Sequence, residues 1–303
     1  MKSFRLGANF AITALIALAF SPLASAQATR TWISGVGDDV NPCSRTAPCK
    51  TFAGAISKTS TGGEIDCLDP GGFGTLTITK PITLDCGAGV GGILAAGTNG
   101  IVVNTGGASD YIMIRNVTLE GSGTGLSGIY ILAGSHVYLE HVKIHNFVNF
   151  GVQVVASAPV NLAMTDVTIT ADNATGGGVS MTTTSGLATA ELINVRIWNT
   201  HPGLQGRVNS VWTVQDSDLS YNGVAAKTLE AGSIINLTKC QINNNGAGAV
   251  QSVAGSTIRV MSSTLSQNGV AFTPNGGVIL TDGLNDVNGN GSNGSTTGST
   301  TKM

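Results

Sequence analysis

Asn116-Val117-Thr118-Leu119, His141-Val142-Lys143-Ile144 and Asp166-Val167-Thr168-Ile169 are copies of one pattern, polar-apolar-polar-apolar. It continues through Asn194-Val195-Arg196-Ile197, Asp216-Ser217-Asp218-Leu219, Lys239-Cys240-Gln241-Ile242 and Ser262-Ser263-Thr264-Leu265. From one closing apolar residue to the next the spacings are 25, 25, 28, 22, 23 and 23. A core motif kept at a drifting period is what loops of unequal length on a repeating scaffold produce. Apolar and polar residues also alternate around the motif, as in Ile112-Met113-Ile114 and Val137-Tyr138-Leu139. That is the period of a strand with one buried face. Gly, Asn, Ser and Thr fill the gaps as turns, and no unit carries a run of helical periodicity. A unit of this length, holding two or three short strands, fits one coil of a parallel β-helix.

Stacked at about 4.8 Å per coil, equivalent residues fall into columns. Val117, Val142, Val167, Val195, Ser217, Cys240 and Ser263 are predicted to point inward, followed by Leu119, Ile144, Ile169, Ile197, Leu219, Ile242 and Leu265. Cys240 then acts as a small buried hydrophobe. Outward columns are predicted for Asn116, His141, Asp166, Asn194, Asp216 and Lys239, for Thr118, Lys143, Thr168, Arg196, Asp218 and Gln241, and for Glu120, His145, Thr170, Trp198, Ser220 and Asn243. Asn146, Asn199, Asn244 and Asn245 are expected to form turn ladders, because Asn bonds to nearby backbone and tolerates left-handed conformations.

Composition narrows the choice further. The chain has 303 residues, 42% hydrophobic and 11% charged, with 42 Gly and a net charge of −2. That balance lacks the basic face of a nucleic-acid binder, and the low charge argues against charge-driven disorder. It is also unlike a coiled coil or helical bundle, so the class expected is all-β. Lys2, Arg5, the apolar residues 10–20 and Ala24-Ser25-Ala26 have the order of a signal peptide over residues 1–26. Its removal takes away two positive charges, from −2 to −4. No later segment is long and apolar enough to span a bilayer. The protein is therefore expected to be secreted, periplasmic or extracellular, where disulfides persist. Cys43, Cys49, Cys67, Cys86 and Cys240 lack the Cys-x-x-Cys spacing of a zinc site.

The first mature segment differs from the coils. Thr31-Trp32-Ile33-Ser34 reads as a strand, residues 35–50 as a turn-rich loop, residues 51–58 as a short helix and Gly62-Gly63-Glu64-Ile65 as a strand again. An open end of a β-helix must be covered, and a helix with Phe52, Ala55 and Ile56 facing the first coil would cover it. The run Trp32-Ile33-Ser34-Gly35-Val36-Gly37-Asp38-Asp39-Val40-Asn41-Pro42 resembles the entry of right-handed parallel β-helix proteins of the pectate-lyase-like superfamily. So do Ala47-Pro48-Cys49-Lys50-Thr51-Phe52, Gly63-Glu64-Ile65 and Asp69-Pro70-Gly71-Gly72-Phe73. The resemblance spans residues 31–86, and the coil pattern extends it to about residue 290. It implies the fold. It assigns no activity, since the superfamily includes lyases, hydrolases and proteins of no known activity. Inside that entry loop Cys43 and Cys49 would close a small ring. Cys67 and Cys86 fall one coil apart, within disulfide range if stacked. The alternative pairing joins the entry loop to the first coil. The organisation expected is a signal peptide, an N-terminal strand, disulfide loop and cap over 27–62, a parallel β-helix over 63–288 and a flexible tail over 289–303.

The outward columns gather much of the charge. A lyase needs a cation or metal at the uronate carboxylate and a base for the C5 proton. Lys143 or Arg196 are candidates for base or clamp, while Asp166, Asp216 and Asp218 are candidates to hold Ca2+ if the protein is a lyase. No other cofactor or metal is expected. Asp216 and Asp218 on one strand are the candidate carboxyl pair of a glycoside hydrolase, which needs about 5–9.5 Å between them. His141, His145 and Asp166 are candidate binding residues, and Trp198 a platform for a sugar ring. The plain alternative is a solvated sheet face with scattered ion pairs. No catalytic motif of a particular lyase or hydrolase is present, so no catalytic residue is carried over from the superfamily. Gly121-Ser122-Gly123-Thr124-Gly125 has no helix after it and reads as turn. Three function classes follow: an extended face for glycan or cell-surface contact, a lyase or hydrolase acting on an acidic polysaccharide, and a structural rod. Polysaccharide or surface glycan is the expected partner, with no nucleic acid and no membrane span.

Overall fold

The computed structural model describes residues 27–87, 91–171 and 175–300, so the expected signal peptide lies outside the described residues. Strand after strand buries every second side chain, as Ile82 and Leu84 do in Ile82–Asp85. The strands stack in parallel into a β-helix of about nine turns. One face is a twelve-stranded sheet running from Ala28–Ile33 to Gly298–Ser299. Each coil then rounds a corner into a short strand of the second face, such as Thr168–Thr170, Arg196–Trp198 or Gln241–Asn243. A second corner leads to the third face, built from strands such as Gly177–Thr183, Val224–Thr228 and Gly248–Val253. Both predicted inward columns are buried, with Val117, Val142, Val167 and Val195 in one and Leu119, Ile144, Ile169 and Ile197 in the other. The observed pairing Lys143↔Thr168↔Arg196 reproduces the predicted register.

The first outward column is corrected. Asn116, His141, Asp166, Asn194, Asp216 and Lys239 are corner residues with φ between 49° and 59°, not strand residues. One left-handed residue turns the chain from the first face to the second, and the alternation of side chains across it survives. Sequence periodicity therefore cannot tell this corner from a strand. Asn and Asp visit this region readily, whereas a longer side chain there costs about 1–2 kcal/mol.

The asparagines divide between two jobs. Asn146, Asn199 and Asn244 are left-handed residues of the second corner, with φ of 60°, 53° and 57°. Asn245 belongs to a ladder with Asn222 and Asn268, all three buried, and the half-buried Asn290. Each Oδ1 accepts the backbone N–H of the preceding rung, and each Nδ2 donates inward to a strand carbonyl, as Asn245 does to Leu219 O at 3.0 Å. Corner backbone groups that no strand partner reaches are thus satisfied away from water.

The helix is Phe52–Lys58, with Phe52 and Ala55 buried and Ile56 packed partly against the core. Thr51 caps it by accepting from Gly54 N at 2.9 Å. The Asp39 carboxylate braces the cap, taking Lys50 N at 2.8 Å, Thr51 N at 2.9 Å and Thr51 Oγ1 at 2.7 Å. Phe52 meets Phe73 edge-to-face, with ring centroids 5.7 Å apart. Both favoured disulfides form, Cys43–Cys49 in the entry loop and Cys67–Cys86 between stacked coils. Gly91 makes room for the second, since a Cβ there would stand 2.2 Å from Cys86 Sγ. Cys240 is buried and unpaired.

The stretch expected as a tail from Gly289 instead continues the sheets. Ser292–Gly294 pairs with Val270–Asn275, and Gly298–Ser299 with Val278–Thr281. Its apolar periodicity is absent because these side chains are exposed, while the backbone still bonds to the coil before it.

Candidate functional site

The corner between the first and second faces carries an open cleft of about 520 Å³. Asp166, Asn194, Asp216 and Lys239 line it from the corner, and Arg196, Asp218 and Gln241 from the second face. Four sequence candidates therefore come together: Asp166, Arg196, Asp216 and Asp218. Lys239 and Asn194 were in the predicted columns but not among the candidates, although the column that held Asp166 and Asp216 also held them.

The cleft is charged and mostly solvated. Asp216, Arg196 and Lys239 are exposed, and Asp218 is half-buried. Asp166 accepts from Asn194 Nδ2, and His141 Nε2 stands 3.2 Å from its other oxygen. His141 Nδ1 lies 3.8 Å from Glu140. Exposed pairs of this kind are worth under about 1 kcal/mol and hold geometry more than stability. Asp218 accepts from the hydroxyl of Ser220.

Arg196 is not paired with an acid among the described residues. Its guanidinium lies 4.7 Å from the ring centroid of Trp198, the distance of a cation–π stack. Trp198 is half-buried, its Nε1 buried and without a hydrogen-bond partner. Tyr221 meets Trp198 edge-on, with centroids 6.2 Å apart. Tyr221 is 57% exposed and sits at φ 59°, in a column whose other left-handed residues include Asn146, Asn199, Asn244 and Gln267. A bulky side chain held left-handed costs of order 1–3 kcal/mol, and such strain gathers at functional sites.

Two binding candidates and one catalytic candidate stand apart. Lys143 is exposed on the second face, two coils before Arg196, and does not line the cleft. His145 is engaged one coil on, its Nδ1 2.7 Å from Thr170 Oγ1. His141 touches the site only through Asp166. Asp166, Asp216 and Asp218, the oxygens expected to hold Ca2+, all line the cleft. Asp166 and Asp216 are two coils apart on the corner, about 9.6 Å at strand spacing. Among the described residues no three His, Cys, Asp or Glu side chains cluster together.

No protein family profile and no curated protein sequence matches the chain. Solved structures of similar fold include a pectate lyase, with a TM-score of 0.68 at 14% identity over 91% of this chain and 80% of its own. A rhamnogalacturonan lyase matches with a TM-score of 0.56 at 12% identity, over 83% of this chain and 75% of its own. A lacto-N-biosidase from Eubacterium ramulus matches with a TM-score of 0.52 at 11% identity, over 90% of this chain and 68% of its own. Its stacked coils, left-handed corners and capped entry give the chain the parallel β-helix fold of the pectate-lyase-like proteins, and at 11–14% identity the likeness extends to the fold alone.

Proposed function

We propose that the protein is exported and holds an acidic polysaccharide along the corner between its first and second faces. The observation that carries this reading is Arg196, stacked on Trp198 at the lip of a cleft that also presents Lys239. A guanidinium offers a uronate carboxylate two parallel donors, and its own stacking on indole fixes its plane beforehand. Tyr221 and Trp198 give the apolar face of a pyranose something flat to rest on. Asp166, Asp216 and Asp218 supply acceptors for sugar hydroxyls. The two disulfides suit a place outside the cytoplasm. Among the described residues no helix is long and apolar enough to cross a membrane.

A second reading, turnover by β-elimination, has support from Arg196, Asp216 and Asp218 around one cleft and from the fold shared with two polysaccharide lyases. In that reaction a base takes the uronate C5 proton, the C4–O bond breaks, and the electron pair left at C5 becomes the C4=C5 double bond. Arg196 would be the group nearest the carboxylate that acidifies C5.

The test is native electrophoresis of the mature protein through gels containing polygalacturonate or alginate. Wild type should be retarded and Arg196→Ala should run freely. Equal retardation of the two would overturn the reading. The same polymers, incubated with and without Ca2+, are checked for ultraviolet-absorbing unsaturated ends. Product that disappears in Asp216→Ala would make the protein a lyase.

A further inference from the structure

The outer surface of the first face holds a second cleft, of about 490 Å³, that the corner site does not use. Tyr111 and Tyr138 stack there with ring centroids 4.6 Å apart and planes at 26°. His136 lies nearly parallel to Tyr138, with centroids 6.5 Å apart. Tyr111 lies on the coil before, in register with His136, and its ring leans across to stack on Tyr138 from that side, with the coil that follows on the other. At that coil the residue in register is Ala163, and at the next it is Glu191. A short side chain between two long ones opens a gap. Tyr138 and Glu191 are two coils apart, about 9.6 Å at strand spacing. A flat ring resting about 3.5–4.0 Å from Tyr138 fills that gap over Ala163 and reaches Glu191 with its hydroxyls. Asn161 and Thr189, hydrogen-bonded to each other, provide further polar groups along the side.

We infer that this cleft is a binding subsite for a neutral pyranose ring, stacked on Tyr138 and hydrogen-bonded to Glu191. The charge distribution selects the neutral class. Glu191 is exposed, and among the described residues no Lys or Arg lines this cleft, whereas Arg196 and Lys239 line the corner cleft. A uronate here would meet a like charge with no cation to offset it. Tyr138 precedes the corner residue His141 by three positions, roughly 10 Å along the strand, so the two clefts lie either side of one edge of the rod. The subsite stands on its own contacts and does not depend on the corner cleft binding anything.

Native electrophoresis through gels containing galactan, glucomannan or xylan tests it. Wild type should be retarded by at least one of these polymers. Tyr138→Ala, which removes the platform, and Ala163→Phe, which fills the gap and removes nothing, should each weaken retardation about tenfold. Circular dichroism melts check that each variant is folded, and if Tyr138→Ala is not, Ala163→Phe decides alone. Free migration of wild type in every neutral gel would overturn the inference. So would wild-type retardation of a folded variant.

Discussion

Replacing Asn245 by Ala tests whether the buried ladder holds the second corner together. Its side chain is fully buried and makes three hydrogen bonds. Nδ2 donates to Leu219 O at 3.0 Å and to Asn268 Oδ1 at 2.8 Å, and Oδ1 accepts from Asn222 N at 2.9 Å. Alanine leaves a backbone N–H and a backbone carbonyl without these partners in the interior. Each buried group so orphaned costs about 1–3 kcal/mol, giving about 2–6 kcal/mol together. At roughly 2–4 °C per kcal/mol for a domain approaching this size, the melting midpoint should fall by roughly 4–24 °C. The adjacent Asn244 is the control, because its φ of 57° is its main contribution. Asn244→Gly should be nearly neutral, since Gly takes that conformation freely, and Asn244→Ala should cost about 1–2 kcal/mol. Circular dichroism melts of the three variants give the comparison. A midpoint for Asn245→Ala no lower than that of Asn244→Gly would refute the ladder argument.

Other perturbations bear on the cap and the core. Replacing Cys67 and Cys86 together by Ser releases a link of sequence separation 19 and should cost about 3 kcal/mol, seen as a lower urea midpoint than wild type under non-reducing conditions. Coincident curves would contradict this. Burial pushes the Asp39 carboxyl upward, but hydrogen bonds from Thr51 and Lys50 and the charge of Lys58 outweigh it and hold it below its ordinary value. Its stabilisation is thus complete above the unfolded pKa, about 3.9, and is lost as pH falls through the lower folded value. Asp39→Asn should melt below wild type at neutral pH, with the gap closing in strong acid; a gap that widens in acid would reverse the assignment. Burial pushes the Cys240 thiol up to about 11. Iodoacetamide at pH 8 should leave it unmodified in the native protein and label it in denaturant, and labelling of the native chain at the rate of a free thiol would place it at the surface.

The repeat carried most of the fold into view before any coordinates. Val142 and Ile144 alternate with Lys143 because a strand has period two, and the same register then aligns Thr168 and Arg196. What stayed hidden was dihedral. Asp166 and Asp216 were readable as outward and polar, but a left-handed corner has the same side-chain parity as a strand. Asn222, Asn268 and Asn290 escaped for a related reason. The ladder runs through the residue after each corner; Asn245 stood out beside the corner residue Asn244, whereas Asn222, Asn268 and Asn290 follow Tyr221, Gln267 and Gly289. For the site, Arg196, Asp216 and Asp218 were legible from their columns. The strain at Tyr221 was not, because no residue type announces it. Nor was the Tyr138 cleft, which depends on Ala163 being small beside two long neighbours on other coils.

The first and last described coils are secured by different means. At one, two covalent links and a capped helix close the first coils. At the other, Ser292–Gly294 and Gly298–Ser299 are held by backbone bonding to the preceding coil with their side chains in solvent. Because each coil rests only on its neighbours, opening costs least where there is least to peel away. Amide protons should therefore exchange in order along the axis, fastest near Thr300 and slowest near the cap, so that position in the rod is written as a clock.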